Sequence, residues 1–223
     1  MKTLKLALLI ATVVFASCSD KEDDPVPAAP VGPDLAYAET KFETTFHSTG
    51  NTGLPTLKWN GEIGNLSLST STPGVYINSS NGTVSWTKSL PLGTNMITAV
   101  AINSTGQKAV TIEIANEFQG EFIGAYNGNP DSEVLPEDGF AINFEADGSV
   151  VVDNYGWDTA IGTWARDENT ITAVYSYNGG SSFYTVSAEL IYNNQKASLK
   201  GYWYSGDQVL EANKEGYIVI NLN

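Results

Sequence analysis

Past residue 36 the apolar residues of this chain recur at every second position and nowhere with a helical period, which limits the fold to strands. Phe140, Ile142 and Phe144 alternate with smaller or polar residues, and Tyr184, Val186, Ala188 and Leu190 repeat the pattern further on. A strand patterned this way buries one face and wets the other. Turn residues punctuate the runs: Pro73-Gly74, Asn81-Gly82, Ser104-Thr105-Gly106 and Asp147-Gly148. The fold class expected is therefore all-β. Cys18 is the only cysteine, so no disulfide can form within one chain and stability must come from packed cores.

The first residues read as an export signal. Lys2 and Lys5 supply a positive start, residues 6–15 are apolar apart from Thr12, and the small residues Ala16 and Ser17 precede Cys18. Ten residues are too few to span a bilayer core of about 30 Å as a helix. Phe15-Ala16-Ser17-Cys18 resembles the lipobox of bacterial lipoproteins, with Phe15 where that family more often has Leu. The resemblance implies cleavage after residue 17 and acylation of Cys18. Several acyl chains anchor stably where one gives only marginal binding. Ser19-Asp20-Lys21-Glu22-Asp23-Asp24 resembles the acidic export signal of surface lipoproteins in some Gram-negative bacteria. That implies an outer-membrane protein facing the exterior. Pro25, Pro27, Pro30 and Pro33 then extend the backbone as a tether over 18–35.

With Lys2 and Lys5 removed, the formal charge falls from −14 to −16. Such a balance excludes nucleic acid as a partner, since phosphate binding needs clustered Lys and Arg. The remaining chain suits two domains. Residues 36–117 are near charge balance and residues 118–223 are strongly acidic, which places the boundary at Asn116-Glu117.

In the first domain, short runs at 37–45, 56–59, 66–69, 75–77 and 83–86 precede two longer ones at 95–102 and 108–115. That number of short strands points to an antiparallel sandwich. Thr72-Pro73-Gly74-Val75-Tyr76-Ile77-Asn78, then Asn81-Gly82-Thr83-Val84-Ser85-Trp86, resembles the Ig-like or cadherin-like repeats of bacterial surface proteins. The resemblance implies a spacer or adhesion unit. The Asp-rich calcium motifs of cadherins are missing, so no metal is expected. Trp59 and Trp86 are expected to anchor the core, and His47 to be a surface strand residue.

In the second domain about eight strands are expected, from 120–126 to 217–222, enough to close a small up-and-down barrel. Residues 144–150, then Gly162-Thr163-Trp164, then 171–177 and Leu199-Lys200-Gly201-Tyr202-Trp203 resemble lipocalin-like domains of bacterial lipoproteins. Here Gly-x-Trp falls mid-domain and not on the first strand. Alternation sends Trp203 inward with Leu199 and Gly201, and turns Tyr202 and Tyr204 outward. Tyr155 and Trp157 stand in a loop flanked by Gly and Asp. Flat rings beside Asp and Asn suit the faces and hydroxyls of sugars, which makes Tyr155, Trp157, Tyr202 and Tyr204 candidate ligand contacts. The same rings would equally serve as core filling and strand-edge tyrosines.

No pair of carboxylates is singled out by spacing, and the lone His47 has no nucleophile elbow to serve. No catalytic residue and no cofactor is expected. The expected function is non-catalytic binding of a glycan or other small exported ligand at the cell surface, as an accessory to nutrient capture. The alternative is a structural or adhesion protein that meets a surface protein through its Ig-like domain. Replacing Cys18 by Ser is expected to release the protein from the membrane fraction. Mass spectrometry finding an unmodified thiol at Cys18 in the mature wild type would contradict the lipid anchor.

Overall fold

Period-two alternation buries one side of each strand, so every sheet must find a second layer or close on itself. Both solutions occur here. The computed structural model describes residues 30–134, 138–153, 159–177 and 179–223, and Val31–Asn223 forms one compact unit.

Nine strands build the first part of that unit: β1 (Asp34–Ala36), β2 (Lys41–Thr45), β3 (Gly50–Asn51), β4 (Thr56–Lys58), β5 (Asn65–Leu68), β6 (Val75–Ile77), β7 (Val84–Trp86), β8 (Gly93–Asn103) and β9 (Gly106–Glu117). They form a four-stranded sheet in the order β2-β9-β8-β5, a three-stranded sheet β3-β7-β6 and the pair β1-β4. Inward residues of all three meet in one core, including Leu35, Leu66, Val75, Trp86, Ile97 and Ile112. Trp59 packs against its margin. Of the run expected at 37–45 only Lys41–Thr45 is strand; a separate short strand ends at Ala36, and Tyr37 turns inward and donates its hydroxyl to the Gly82 carbonyl at 2.6 Å. Gly82 sits at φ 81°, a left-handed turn that a side chain would strain. One pairing departs from the antiparallel expectation. Strand β2 lies parallel to β9, with Phe42 beside Ile114.

The second part is a closed antiparallel barrel of eight strands. These are β10 (Gly120–Tyr126), β11 (Asp138–Phe144), β12 (Ser149–Asp153), β13 (Ala160–Asp167), β14 (Thr170–Tyr177), β15 (Phe183–Tyr192), β16 (Ala197–Ser205) and β17 (Lys214–Leu222). Each strand pairs with the next, and β17 returns to β10 to abolish the sheet edge. An eight-stranded barrel is just wide enough for its own side chains. Phe122, Ile142, Phe144, Val150, Ile171, Val186, Leu199 and Ile218 accordingly fill it as one cluster. Gly162, from the Gly-x-Trp element, lies where a Cβ would collide with the Val174 carbonyl, so glycine lets β13 press onto β14.

The two parts are joined by aromatic packing as well as by chain. Phe46 follows β2 yet belongs to the barrel's core, where it is 4% exposed. Its ring lies 5.4 Å from Phe118 and 5.1 Å from Tyr192. Phe118, between β9 and β10, packs in turn on Phe122, Phe144 and Trp164. Hydrogen bonds ring this plug. The Phe46 amide donates to the Glu117 carbonyl at 2.8 Å, and the Ser89 hydroxyl donates to Asn194 Oδ1 at 2.7 Å. His47 is not the surface strand residue expected. It occupies a left-handed turn (φ 57°), and its Nε2 pairs with the Asn193 carbonyl oxygen at 2.8 Å.

The unit therefore has a direction. Its amino-terminal end is fastened at the β8–β9 hairpin tip, where Thr105 Oγ1 donates to the Val31 carbonyl and Asn60 Nδ2 to that of Gly32. From that tip the twelve residues of β9 run to the junction, about 40 Å of extended chain. Strand β10 continues from the junction to the far end of the barrel. Truncating the plug by Phe46→Ala is expected to cost about 3–5 kcal/mol of stability. A denaturant midpoint unchanged from wild type would show that the junction is not a shared core.

Candidate functional site

The barrel's two ends differ in what closes them. Phe46, Phe118 and Leu92 fill the end at the junction. At the far end, aromatic residues stand at or next to the last inward position of five strands: Tyr126 on β10, Phe140 on β11, Tyr175 and Tyr177 on β14, Tyr184 on β15 and Trp203 on β16. Strand alternation puts each of them on the inner face, and their place near strand ends brings them to one level.

Five of these rings close a circuit. Tyr126 meets Phe140 at 5.7 Å, Phe140 meets Tyr175 at 6.4 Å, and Tyr175 stacks on Tyr184 at 6.0 Å. Tyr184 lies 6.4 Å from Trp203, which returns to Tyr126 at 5.9 Å. Tyr177 packs edge-on against both Tyr175 and Tyr184. Centroid spacings of this size are those of favourable aromatic pairs. Phe140 and Tyr175 are each 4% exposed and form a floor, while Tyr126, Tyr177, Tyr184 and Trp203 are half-buried and form a rim. Burial pushes the Tyr175 hydroxyl well above the ordinary tyrosine range, and neighbouring Tyr177, Tyr184 and Tyr126 push it further. It stays a neutral phenol at any physiological pH.

The rim is held from behind by Asn127. Its carbonyl oxygen accepts the Trp203 indole N–H at 2.8 Å, which fixes the ring plane. Its side chain donates to the Ser132 and Val134 carbonyls and accepts the Tyr217 amide. Gly216 makes this approach possible, because a Cβ there would collide with that same Asn127 carbonyl.

Of the residues singled out from sequence, the two that are described, Tyr202 and Tyr204, stand elsewhere. Tyr202 is on the outer face, where its hydroxyl donates to Glu133 Oε1 at 2.7 Å and Lys214 Nζ sits 3.6 Å above its ring. Lys214 is also paired with Glu211 at 3.6 Å. One face of Tyr202 is thus covered by its own chain. Tyr204 also points outward but is only 7% exposed. A register shift between Trp203 and Tyr204 bulges the β16–β17 ladder there. Tyr155 and Trp157 lie outside the described residues. What sequence reasoning missed is the assembly of Tyr126, Tyr175 and Tyr177 with residues it had already turned inward. The available signal was an aromatic at or next to the last inward position of several strands.

Among the described residues no group of three or more His, Cys, Asp or Glu side chains is placed to hold a metal ion. The arrangement offers flat rings and neutral phenols, which suit contact with an uncharged, ring-shaped ligand more than proton transfer. The chain matches no family model and no curated protein sequence.

The outer-face contact gives a titration test. The bond to Glu133, then burial, raises the Tyr202 hydroxyl from 10.0 to about 12. The folded protein holds that proton to higher pH than the unfolded chain, so this contribution to stability is complete below pH 10.0 and disappears as pH climbs toward 12. Glu133→Gln, which removes the charge, is expected to bring one tyrosine back toward its ordinary value in a spectrophotometric titration. An unaltered titration curve would mean that the pair does not form in solution.

Proposed function

We propose that the protein is a lipid-anchored component of the bacterial cell surface that holds a glycan or other small exported ligand at the aromatic end of its barrel, without transforming it. The observation that carries this reading is the circuit of rings at the barrel end opposite the Phe46 plug. Six aromatic residues gather at this one end, four of them only partly buried. Partly exposed rings cost hydration and offer an apolar surface. Tyrosine suits that position because it pairs a flat apolar face with a polar edge, and Trp203, its indole N–H bonded to Asn127, adds a flat face.

The rest of the chain fits presentation of such a site. Residues 18–35 read as an acidic, proline-rich tether from the acylated Cys18. The first part, in this reading an Ig-like spacer, meets the barrel through the Phe46 plug. A net charge of −16 once Lys2 and Lys5 are removed with the signal keeps the surface soluble and disfavours anionic partners.

The test is intrinsic fluorescence and affinity electrophoresis of the Val31–Asn223 unit, which contains both hydrophobic cores, against a panel of neutral polysaccharides. At least one member is expected to shift the tryptophan emission, and Trp203→Ala to weaken its retention at least about tenfold. If no member of the panel shifts the emission or retards the protein, the ligand reading fails. The adhesion reading, with the first part contacting a surface protein, then takes its place.

A further inference from the structure

Beside the aromatic end lies a shallow, open groove of about 440 Å³ between the start of β15 and the turn that follows β16. Ser181, Phe183, Tyr184, Ser205 and Asp207 line it. Its walls are tied together. The Gly206 amide donates to the Phe183 carbonyl at 2.8 Å, and Thr185 Oγ1 donates to the Gly206 carbonyl at 2.8 Å. Thr185 is fully buried, so this clip is shielded from water. The groove thus lies where the ends of two paired strands and their connecting segments are tied by these two bonds.

Tyr184 belongs to both places. Its ring stacks on Tyr175 and faces Trp203 within the circuit, and it also forms part of the groove's wall. Tyr184 is thus shared by the ring circuit and the groove, while Phe183 beside it stands on the outer face. Phe183, the residue before it, is 43% exposed although large and apolar. Val209 and Leu210, on the connection to β17, are exposed as well.

We propose that this groove is a second sugar subsite, so that the barrel end takes an extended chain of at least two uncharged pyranose rings and not a single small ligand. The inference rests on the reading of the aromatic end as a ligand site and adds to it the size and charge of the ligand. Phe183 supplies an apolar face for one ring, and the Ser181 and Ser205 hydroxyls and the Asp207 carboxylate supply partners for sugar hydroxyls. A volume of about 440 Å³ lies within the usual range of small-ligand sites. The charge around the groove is one-sided. Asp207 is on its wall, Glu215 accepts the Ser205 hydroxyl at 2.9 Å, and Lys214 is already engaged by Glu211 and the Tyr202 ring. No cation lines the groove among the described residues, so a uronic or sulfated ring would be desolvated beside carboxylates with no partner.

The experiment is calorimetric titration of the Val31–Asn223 unit with gluco-, manno- and xylo-oligosaccharides of increasing length, and with oligogalacturonates as the anionic series. In the neutral series that binds, affinity is expected to rise roughly tenfold between one ring and three. Phe183→Ala should abolish that gain and leave single-ring affinity unchanged, while Trp203→Ala lowers both. Asp207→Asn should also reduce the gain, and it serves as a second variant should Phe183→Ala lower the unfolding midpoint. Affinity independent of length, both groove variants behaving as wild type, or oligogalacturonates binding as well as neutral chains would each overturn the subsite and leave the aromatic end intact. Absence of binding by every oligosaccharide would remove the aromatic end as a sugar site, and the groove with it.

Discussion

The packing of Phe46 against Phe118 decides how the rest of this molecule is arranged. An eight-stranded barrel has two ends, and hydrophobic side chains at either one face water unless something covers them. Here a residue contributed by the first part closes one end, and the Phe118 ring beside it ties the plug to Phe122, Phe144 and Trp164. Burying an aromatic side chain contributes on the order of 2–3 kcal/mol, so two such rings at a junction couple the parts firmly. The consequence is an asymmetry: one barrel end is spent on internal packing and the other is left to present its rings.

That second end is shaped by the narrowness of the barrel as much as by its residues. Phe122, Ile142, Leu199 and Ile220 fill the middle. A contacting molecule is therefore met at the rim formed by Tyr126, Tyr177, Tyr184 and Trp203, above the floor of Phe140 and Tyr175. Asn127 makes the rim specific in geometry, since one residue holds the indole of Trp203, the backbone of Tyr217 and the turn through Ser132. An indole whose N–H is already bonded to protein offers its face and not its polar edge.

Much of this was legible in the alternation of apolar residues. Strand β10 runs from Gly120 to Tyr126, and the inward set of Phe140, Ile142, Phe144, Val186, Ala188 and Leu190 is buried as period two requires. What alternation cannot give is depth along the barrel axis. It turns Tyr184 and Trp203 inward without saying that they, Tyr126 and Tyr175 reach one level, because level depends on the stagger between strands. Long-range burial was equally hidden. Phe46 has ordinary strand-end neighbours in sequence, and its partner Tyr192 is far along the chain. The left-handed turn at His47 and the parallel course of β2 beside β9 were hidden as well, since no local turn motif announces them.

The most direct measurement is the set of indole N–H signals in a proton–nitrogen correlation spectrum, recorded as a neutral oligosaccharide is added. Trp203 is bonded to the Asn127 carbonyl at the ring-bearing end, Trp164 to the Glu145 carbonyl near the plug, and Trp86 to Thr44 in the first part. The Trp203 signal is expected to move with saturation while those of Trp164 and Trp86 hold still. A saturable shift at Trp86 or Trp164 with Trp203 unmoved would place recognition elsewhere on the molecule and contradict a ligand site at the barrel's aromatic end.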